Sequence, residues 1–321
     1  SDALAKCDHH EVARVIAQVI MKARAVERCQ DEPSRLLAQK EPNDDHLIHT
    51  AVDGKILRGT LKHDRDDQPK VHLLSFYECE SGIVLDQFLV NKENNEESAC
   101  KAILHPLLVK WRIISADAIF TCRGWCAAVD AYNGYYIIPV KENTPAVLRD
   151  LTDFFEDGGI DRKEFDYHKE TNKGHGRLEV REIWTSTQMN DWFEKEWAHI
   201  AQVFMIRRTV KRRGKERIEV VYGMTNVPRK KANAKRVLEL NRKHWYIENR
   251  LHYRRDVTLG EDASQIRSHG APEIIAALNG GLLALLDFIG VKNVAKQMRH
   301  FCAQPRDALR LLLGKLSRQN G

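Results

Sequence analysis

The first hydrophobic pattern along the chain has the period of an α-helix. Apolar residues recur at steps of three and four between Glu11 and Arg28, which predicts an amphipathic helix. The segment from Glu32 to Asp45 is polar and contains two prolines, so it is predicted to be a linker. Residues 1–45 are therefore expected to form a short helical N-terminal segment and a linker.

The period then changes to that of extended strands. Three consecutive strands are predicted over His46–Asp53, Val71–Tyr77 and Ile83–Val90. Helices and strands then alternate, over Glu96–Lys110 (helix), Ile113–Asp117 (strand), Gly124–Tyr132 (helix) and Tyr135–Val140 (strand). This order predicts an α/β fold, a mixed sheet with flanking helices. It is typical of an RNase H-like fold, whose first part would be residues 46–140.

The region 141–228 breaks this alternation and is predicted to be a β-rich insertion. It opens with a helix at Pro145–Phe155 and continues with strands at Leu178–Thr185, Ala201–Val210 and Ile218–Tyr222. The second part of the core, residues 229–321, is predicted to begin with a long helix. That helix spans Ala232–Arg255, and three more helical segments follow from Pro272, Val291 and Asp307.

Composition narrows the class of protein. The chain has 321 residues, of which 43% are hydrophobic, and this fraction excludes a disordered or fibrous protein. Its seven cysteines are few and odd in number, which predicts free thiols and a cytoplasmic protein. The first residues lack the basic-then-apolar pattern of a signal peptide, so none is expected in this sequence. The apolar stretch from Ile274 to Ile289 is interrupted by polar residues and glycines, so no membrane span is expected.

Charge is distributed unevenly. The net charge is 51 − 45 = +6. The segment from Val203 to Arg255 has 17 basic and 4 acidic residues, +13, which leaves −7 for the remainder. Such a segment indicates an anionic partner, with nucleic acid as the leading candidate. A solvated helix face is the alternative explanation.

Three acidic residues are candidates for a metal site. Asp53 is predicted at the end of the first strand and Asp117 at the end of the fourth, so neighbouring parallel strands would place them side by side. Glu248 lies on the helix after the insertion. Each acid alone is compatible with a turn, a cap or an exposed helix face. Together their oxygen ligands suit Mg²⁺ or Mn²⁺, and two such ions promote in-line displacement at a phosphodiester.

Basic and aromatic residues surround Glu248. Helical spacing predicts that His244, Glu248, His252 and Arg255 share one face, with Arg250 on an adjoining face. Imidazoles and guanidiniums near a carboxylate suit a metal site that also binds a phosphodiester.

Further residues near this helix have two interpretations each. Trp245 and Tyr253 are compatible with base stacking or with a place in the core. Asp256, Glu261 and Asp262 are compatible with auxiliary metal ligation or with structural roles such as a cap.

Several motifs together resemble a known family. They are AVDGK at 51–55 with LRG at 57–59, DA at 117–118, VKEN at 140–143, GHGR at 174–177, HWYIENRLH at 244–252, DVT at 256–258 and GEDAS at 260–264. From about Ile48 to its C-terminus the chain resembles the DDE transposases of bacterial insertion sequences. The branch it resembles includes the H-repeat-associated proteins linked to Rhs elements.

The resemblance implies an activity and a catalytic triad. The triad would be Asp53, Asp117 and Glu248, which would also bind two Mg²⁺ ions, replaceable by Mn²⁺. The implied reaction is DNA cleavage at transposon ends followed by transfer of the 3′-OH into target DNA. The partner would be double-stranded DNA, bound by a homodimer in the bacterial nucleoid.

The predicted DNA-binding residues come from the resemblance and from the helix around Glu248. They are Lys55, Arg58, Lys141, His175, Arg177, His244, Trp245, Arg250, His252 and Arg255. No P-loop motif occurs, so no nucleotide is expected. Only about 45 residues precede the first predicted strand, which keeps open the alternative of a catalytically silent DNA-binding remnant. A purely hydrolytic nuclease of the same fold is a third possibility.

Overall fold

The computed structural model describes six main segments of the chain. These are residues 43–58, 71–90, 104–156, 162–174, 176–266 and 270–312, together with residues 8, 11, 12, 14–16, 18 and 19. The chain divides into two compact units. The core unit comprises residues 40–54 and 90–246, and the terminal unit comprises residues 1–39, 55–89 and 247–321.

Nine strands lie within the described residues. They are β1 (Ile48–Ile56), β2 (His72–Glu78), β3 (Ile83–Leu89), β4 (Arg112–Ala116), β5 (Tyr135–Val140), β6 (Asp166–Gly174), β7 (Arg177–Ser186), β8 (Gln202–Arg212) and β9 (Lys215–Thr225). In the core unit the strand order is β1-β4-β5-β9-β8-β7-β6. The first three strands are parallel and the other neighbours are antiparallel. In the terminal unit β2 and β3 form an antiparallel hairpin.

The helices are mostly those that the sequence predicts. The longer ones in the described residues are α1 (Arg123–Ala131), α2 (Pro145–Glu156), α3 (Ala234–Tyr246), α4 (Ala271–Phe288), α5 (Val294–Ala303) and α6 (Pro305–Leu312). Shorter ones are Pro106–Val109 and Asn190–Phe193, with 3₁₀ turns at Ala118–Phe120, Arg162–Glu164 and Glu261–Ala263. Two π-helical segments, Ile247–His252 and Arg254–Thr258, follow α3.

Helices cover both faces of the sheet in the core unit. Ile113 and Ile137 pack in one buried cluster with Val237 and Leu240 of α3. The residue before Ile137 on β5, Tyr136, points to the opposite face and contacts Trp125 of α1. The predicted α/β fold, a mixed sheet with flanking helices, is therefore confirmed.

The structure corrects the prediction for two strands and adds one feature of the sheet. Strand β1 runs on to Ile56 instead of ending at Asp53. Strand β6 was not predicted, because its sequence is polar on both faces and has no apolar alternation to detect. The strands of the predicted insertion continue the core sheet, since β9 pairs with β5.

The long helix predicted over Ala232–Arg255 is regular only as far as Tyr246. Beyond this residue the backbone hydrogen bonds widen to the i→i+5 pattern of a π-helix. Hydrophobic spacing over so few residues does not distinguish the two periods. Of the residues predicted to share one face, Glu248 and His252 do lie together, with Oε2 and Nδ1 3.8 Å apart.

Other predictions fall partly outside the described residues. Helical backbone is present at the described positions from Glu11 to Val19, but the rest of that helix and most of the linker lie outside. Of the helix predicted over Glu96–Lys110, the described part contains Pro106–Val109.

Helix α4 is the one helix among the described residues that is long and apolar enough to cross a membrane. It has 18 residues and a mean hydropathy of 1.4, and 56% of it is buried inside the protein. The helix begins at Ala271, so the interrupted apolar stretch noted in the sequence belongs to a longer helix that meets this limit of length and composition. Its glycines lie inside it, and a Cβ on Gly280 would come within 3.3 Å of Val84 on β3. Packing of α4 on β3 accounts for its apolar residues.

Candidate active site

Asp53 and Asp117 each follow directly after the last residue pair in the register of the parallel strands β1 and β4. The last paired residues are Val52 and Ala116, so the two aspartates come next on neighbouring strands. Asp117 also accepts a hydrogen bond from the Ala118 amide at 2.7 Å and thus caps a 3₁₀ turn. The expectation that the strands bring these two acids together is met, and the capping role of Asp117 is present as well.

Lys141 lies beside Asp117. Its Nζ is 3.1 Å from Oδ1, and both side chains are about half exposed. Burial raises the pKa of Asp117, but the Ala118 amide and Lys141 outweigh it and lower the pKa from its ordinary value. The carboxylate is therefore ionised and partly balanced by a cation that water also solvates.

His244 reaches the same region from the last turn of α3. Ser115 links it to a second histidine: Ser115 Oγ is 3.0 Å from His244 Nδ1 and 2.8 Å from His49 Nε2. Burial lowers the pKa of His244, although Asp53 and Asp117 oppose the shift. The pKa of His49 is lowered well below its ordinary value by burial and by His244. Both rings are therefore neutral at neutral pH.

Glu248 belongs to the terminal unit and lies in the first π-helical segment. Its side chain is half exposed, and its Oε2 is 3.8 Å from Nδ1 of His252. Burial, followed by the charge of Arg255, lowers the pKa of His252 to about 4. His252 is therefore neutral near pH 7 and does not balance the charge of Glu248.

Lys55 is buried between two carboxylates of the terminal unit. Its ammonium group pairs with Asp256 and lies 3.4 Å from Asp262 Oδ1. Arg58 contacts Asp262 as well, through its amide at 3.4 Å and its guanidinium at 3.8 Å. Lys55 is only 7% exposed, so the expectation that it contacts DNA is wrong in this structure: its charge is already used inside the unit.

Arg255 is fully buried in the terminal unit. Its guanidinium donates to both carboxylate oxygens of Glu261, at distances from 2.7 to 3.0 Å. Asn279 donates to the same carboxylate at 2.9 Å. Neither Arg255, at 0% exposure, nor His252, at 4%, is available to DNA, which corrects both predictions. The planar guanidinium of Arg255 pairs with Glu261, six residues later, so it packs inside the unit and does not remain in solvent.

The remaining predicted DNA contacts have accessible side chains or lie outside the described residues. Arg58, Lys141, Arg177, Trp245 and Arg250 are exposed, and His244 is partly buried. Tyr253 is also exposed, at 58%. His175 lies outside the described residues.

The donor set decides which acids suit a divalent cation. Asp53 and Asp117 offer hard carboxylate oxygens from adjacent strands, with neutral imidazole nearby, and this combination fits Mg²⁺ or Mn²⁺. The acids first considered as auxiliary ligands do not fit. Lys55 already balances Asp256 and Asp262, and Arg255 balances Glu261.

Two features of the site were missed in the sequence. The first is the contact of Ser115 with His49 and His244. The alternation of side chains along a strand could have indicated it, because it places His49 on the same face as Asp53 and Ser115 on the same face as Asp117. The second is the role of Lys55, which depends on a partner 207 residues away and has no local signal.

Comparison with known proteins identifies similar sequences. The model of the transposase DDE domain family matches residues 45–279. The putative transposase YncI of Escherichia coli O157:H7 is 28% identical over 255 residues, which are 78% of this chain and 64% of that protein. The H repeat-associated putative transposase YhhI of Escherichia coli (strain K12) is 25% identical over 237 residues, 71% and 61% of the two chains.

A solved structure is also similar to this chain, more distantly. It is a piggyBac transposase synaptic complex with hairpin DNA, with a TM-score of 0.40 and 11% identity over 78% of this chain and 51% of that one. That likeness is too weak to carry an argument. The chain spans 61% to 64% of the length of the curated relatives named above. The family model covers most of the chain, and the chain therefore belongs to the transposase DDE domain family.

Proposed function

We propose that this protein cleaves DNA at transposon ends and joins the released 3′-OH to target DNA, with Asp53, Asp117 and Glu248 as its catalytic carboxylates. The observation that carries the proposal is the register of β1 and β4, which sets Asp53 and Asp117 side by side. Membership of the transposase DDE domain family supports the same activity. Glu248 is the third carboxylate of the proposal, two residues after the end of α3.

The carboxylates of Asp53, Asp117 and Glu248 would hold the Mg²⁺ ions, and Mn²⁺ would substitute. Bound divalent ions supply activation of the attacking hydroxyl and stabilisation of the departing oxygen. The proposed chemistry is two displacements at phosphorus. In the first, water attacks a phosphodiester at the transposon end and the 3′ oxygen leaves. In the second, that 3′-OH attacks a phosphodiester of the target, the bond from this phosphorus to the target strand's own 3′ oxygen breaks, and the departing oxygen takes up the proton.

The residues around the carboxylates position and balance them. The Ala118 amide fixes one oxygen of Asp117, and Lys141 lies beside the same oxygen. His244 is held through Ser115 and stays neutral, so it adds no positive charge that would compete with a metal ion. Exposed Lys141 and Arg250 are candidates to contact the phosphodiester backbone.

The test separates this function from its two alternatives. Purified protein is incubated with Mn²⁺, supercoiled plasmid and a labelled duplex with free 3′-OH ends. Nicking together with joining of the label to plasmid supports a transposase. Nicking without joining would indicate a hydrolytic nuclease, and salt-sensitive binding without either would indicate a silent remnant.

The partner and the assembly are part of the proposal. Double-stranded DNA is the expected partner, with a homodimer on paired ends in the nucleoid. Light scattering of the protein with and without duplex DNA would measure the assembly, and a complex with one copy per duplex would contradict the dimer.

A further inference from the structure

The two hairpins of the core unit, β6–β7 and β8–β9, end level with each other. Gly174 pairs with Arg177, Arg177 pairs with Arg212, and Arg212 pairs with Lys215. Directly paired residues present their side chains on the same face of a sheet, and adjacent strands are about 4.8 Å apart. Arg177, Arg212 and Lys215 therefore form a line of three cations across the sheet, here called the tip row.

The tip row differs from the basic residues around it, which are already neutralised. Glu179 pairs with Arg181 at 2.6 Å and also with Arg208. Lys211 pairs with Glu216 at 2.7 Å, and Arg217 pairs with Glu219 at 2.7 Å. Most of the positive charge that the sequence places in these strands is therefore balanced within the sheet.

In the tip row itself the balance is incomplete. Arg177 has a distant partner in Glu179, at 3.7 Å. Arg212 and Lys215 are exposed, and neither forms an ion pair within the described part of the chain. Like charges placed directly opposite each other destabilise a sheet. The fold therefore keeps an unfavourable arrangement that an anion would relieve.

The turn between β8 and β9 adds a fourth cation. Arg213 has φ of 49° and Gly214 has φ of 74°, so both central residues are left-handed, as in a type I′ hairpin. Asn or Gly is the usual first residue of such a turn, and an arginine there is unfavourable for the backbone. Arg213 is exposed at this position.

We propose that the tip row and Arg213 bind the phosphate backbone of duplex DNA. The choice of DNA rests on the proposed function; the line of cations itself requires only a polyanion. A row of guanidinium and ammonium groups suits regularly spaced phosphates, because guanidinium binds phosphate with two parallel hydrogen bonds. The row carries no base-reading groups, so binding through it is independent of sequence.

The test compares two double variants of the same hairpin that lose the same charge. R212Q/K215Q removes cations of the tip row, and K211Q/R217Q removes cations that are paired with glutamates. Binding to a short random-sequence duplex is measured by fluorescence anisotropy at several salt concentrations. R212Q/K215Q should lower the log–log salt slope by about two and weaken binding roughly a hundredfold at low salt. K211Q/R217Q should leave the slope unchanged, and equal slopes for the two variants would overturn the proposal.

Two further measurements are needed. One distinguishes DNA binding by the tip row from a purely structural role, and the other distinguishes failure of this proposal from failure of the proposed function. The Tm of R212Q/K215Q without DNA should equal or exceed that of the wild type, since repulsion is relieved, and a clear fall in Tm with unchanged DNA affinity would overturn the proposal. Nicking and joining by the wild type are measured in parallel with DNA binding. If neither the wild type nor a variant cleaves DNA but the salt slopes of the two double variants differ as expected, the proposed activity is wrong and the proposal for the tip row is supported. If the wild type cleaves and joins DNA but the slopes do not differ, the tip row alone fails.

Discussion

Two pairs of aspartates in this protein differ in how their charge is balanced. Asp256 and Asp262 share Lys55, which is 7% exposed and lies between them. Asp117, beside Asp53 in the register of the parallel strands, contacts Lys141, which is 53% exposed. A carboxylate that a buried cation already balances stabilises the fold. A pair of carboxylates on adjacent strands beside a solvated cation retains capacity for a divalent ion.

The largest effect that tests this comparison is on DNA cleavage. D53N and D117N should each lower Mn²⁺-dependent nicking of supercoiled plasmid by roughly a thousandfold, about 4 kcal/mol in the barrier. The matched control D262N should keep the rate within about threefold, because Asp262 neutralises Lys55 and holds no metal in this account. Loss of nicking in D262N at unchanged stability would remove the distinction between the two pairs.

The next effect is on stability and concerns the other pair. Lys55→Met should lower the free energy of unfolding by about 3 kcal/mol, because it leaves two partly buried carboxylates without their shared cation. Urea unfolding measures this change. Lys141→Met, which removes a half-exposed cation, should cost less than about 1 kcal/mol. Similar losses in the two variants would show that burial does not distinguish them.

The comparison also requires neutral imidazoles near Asp53 and Asp117. The folded pKa values of His49 and His244 both lie below the ordinary value, chiefly because the rings are buried. Such groups stabilise the protein above the unfolded pKa of about 6.5, and this contribution is lost as the pH falls through the folded values. His49→Gln should therefore flatten the decline of unfolding free energy below pH 6.5. An unchanged pH dependence would mean that His49 does not contribute.

The smallest effect concerns metal affinity. Lys141→Gln removes a cation 3.1 Å from Asp117 and should tighten Mn²⁺ binding a fewfold, equivalent to about 0.5–1 kcal/mol. Isothermal titration with Mn²⁺ measures it, with Lys141→Arg as the charge-preserving control. Weaker Mn²⁺ binding in Lys141→Gln would instead assign Lys141 a supporting role in the metal site.

The parts of the fold that the sequence predicts are those with a local pattern. Apolar alternation located β4 and β5, and strand order then placed Asp53 beside Asp117. Strand β6 escaped prediction because polar residues occupy both of its faces. The π-helical turns around Glu248 escaped because the spacing of side chains changes there without any change in composition.

The sequence also could not show which basic residues are paired with carboxylates inside the protein, because their partners are set by the tertiary fold. Lys55 and Arg255 have the composition of DNA contacts, yet each pairs with a carboxylate inside the terminal unit. Conversely, the sequence does not distinguish Arg212 and Lys215 from the other basic residues of their segment. Only the strand register shows that they lie opposite each other. Counting charges indicates an anionic partner, but only pairing shows which cations remain available to it.

The central claim is that a divalent ion binds at Asp53 and Asp117 and does not bind at the acids that Lys55 balances. Crystals grown with Mn²⁺ and measured at the manganese absorption edge test this directly. Anomalous density is expected within coordination distance of the Asp53 and Asp117 carboxylates, with Glu248 as a further ligand. Anomalous density at Asp256 and Asp262, with none at Asp53 and Asp117, would contradict it.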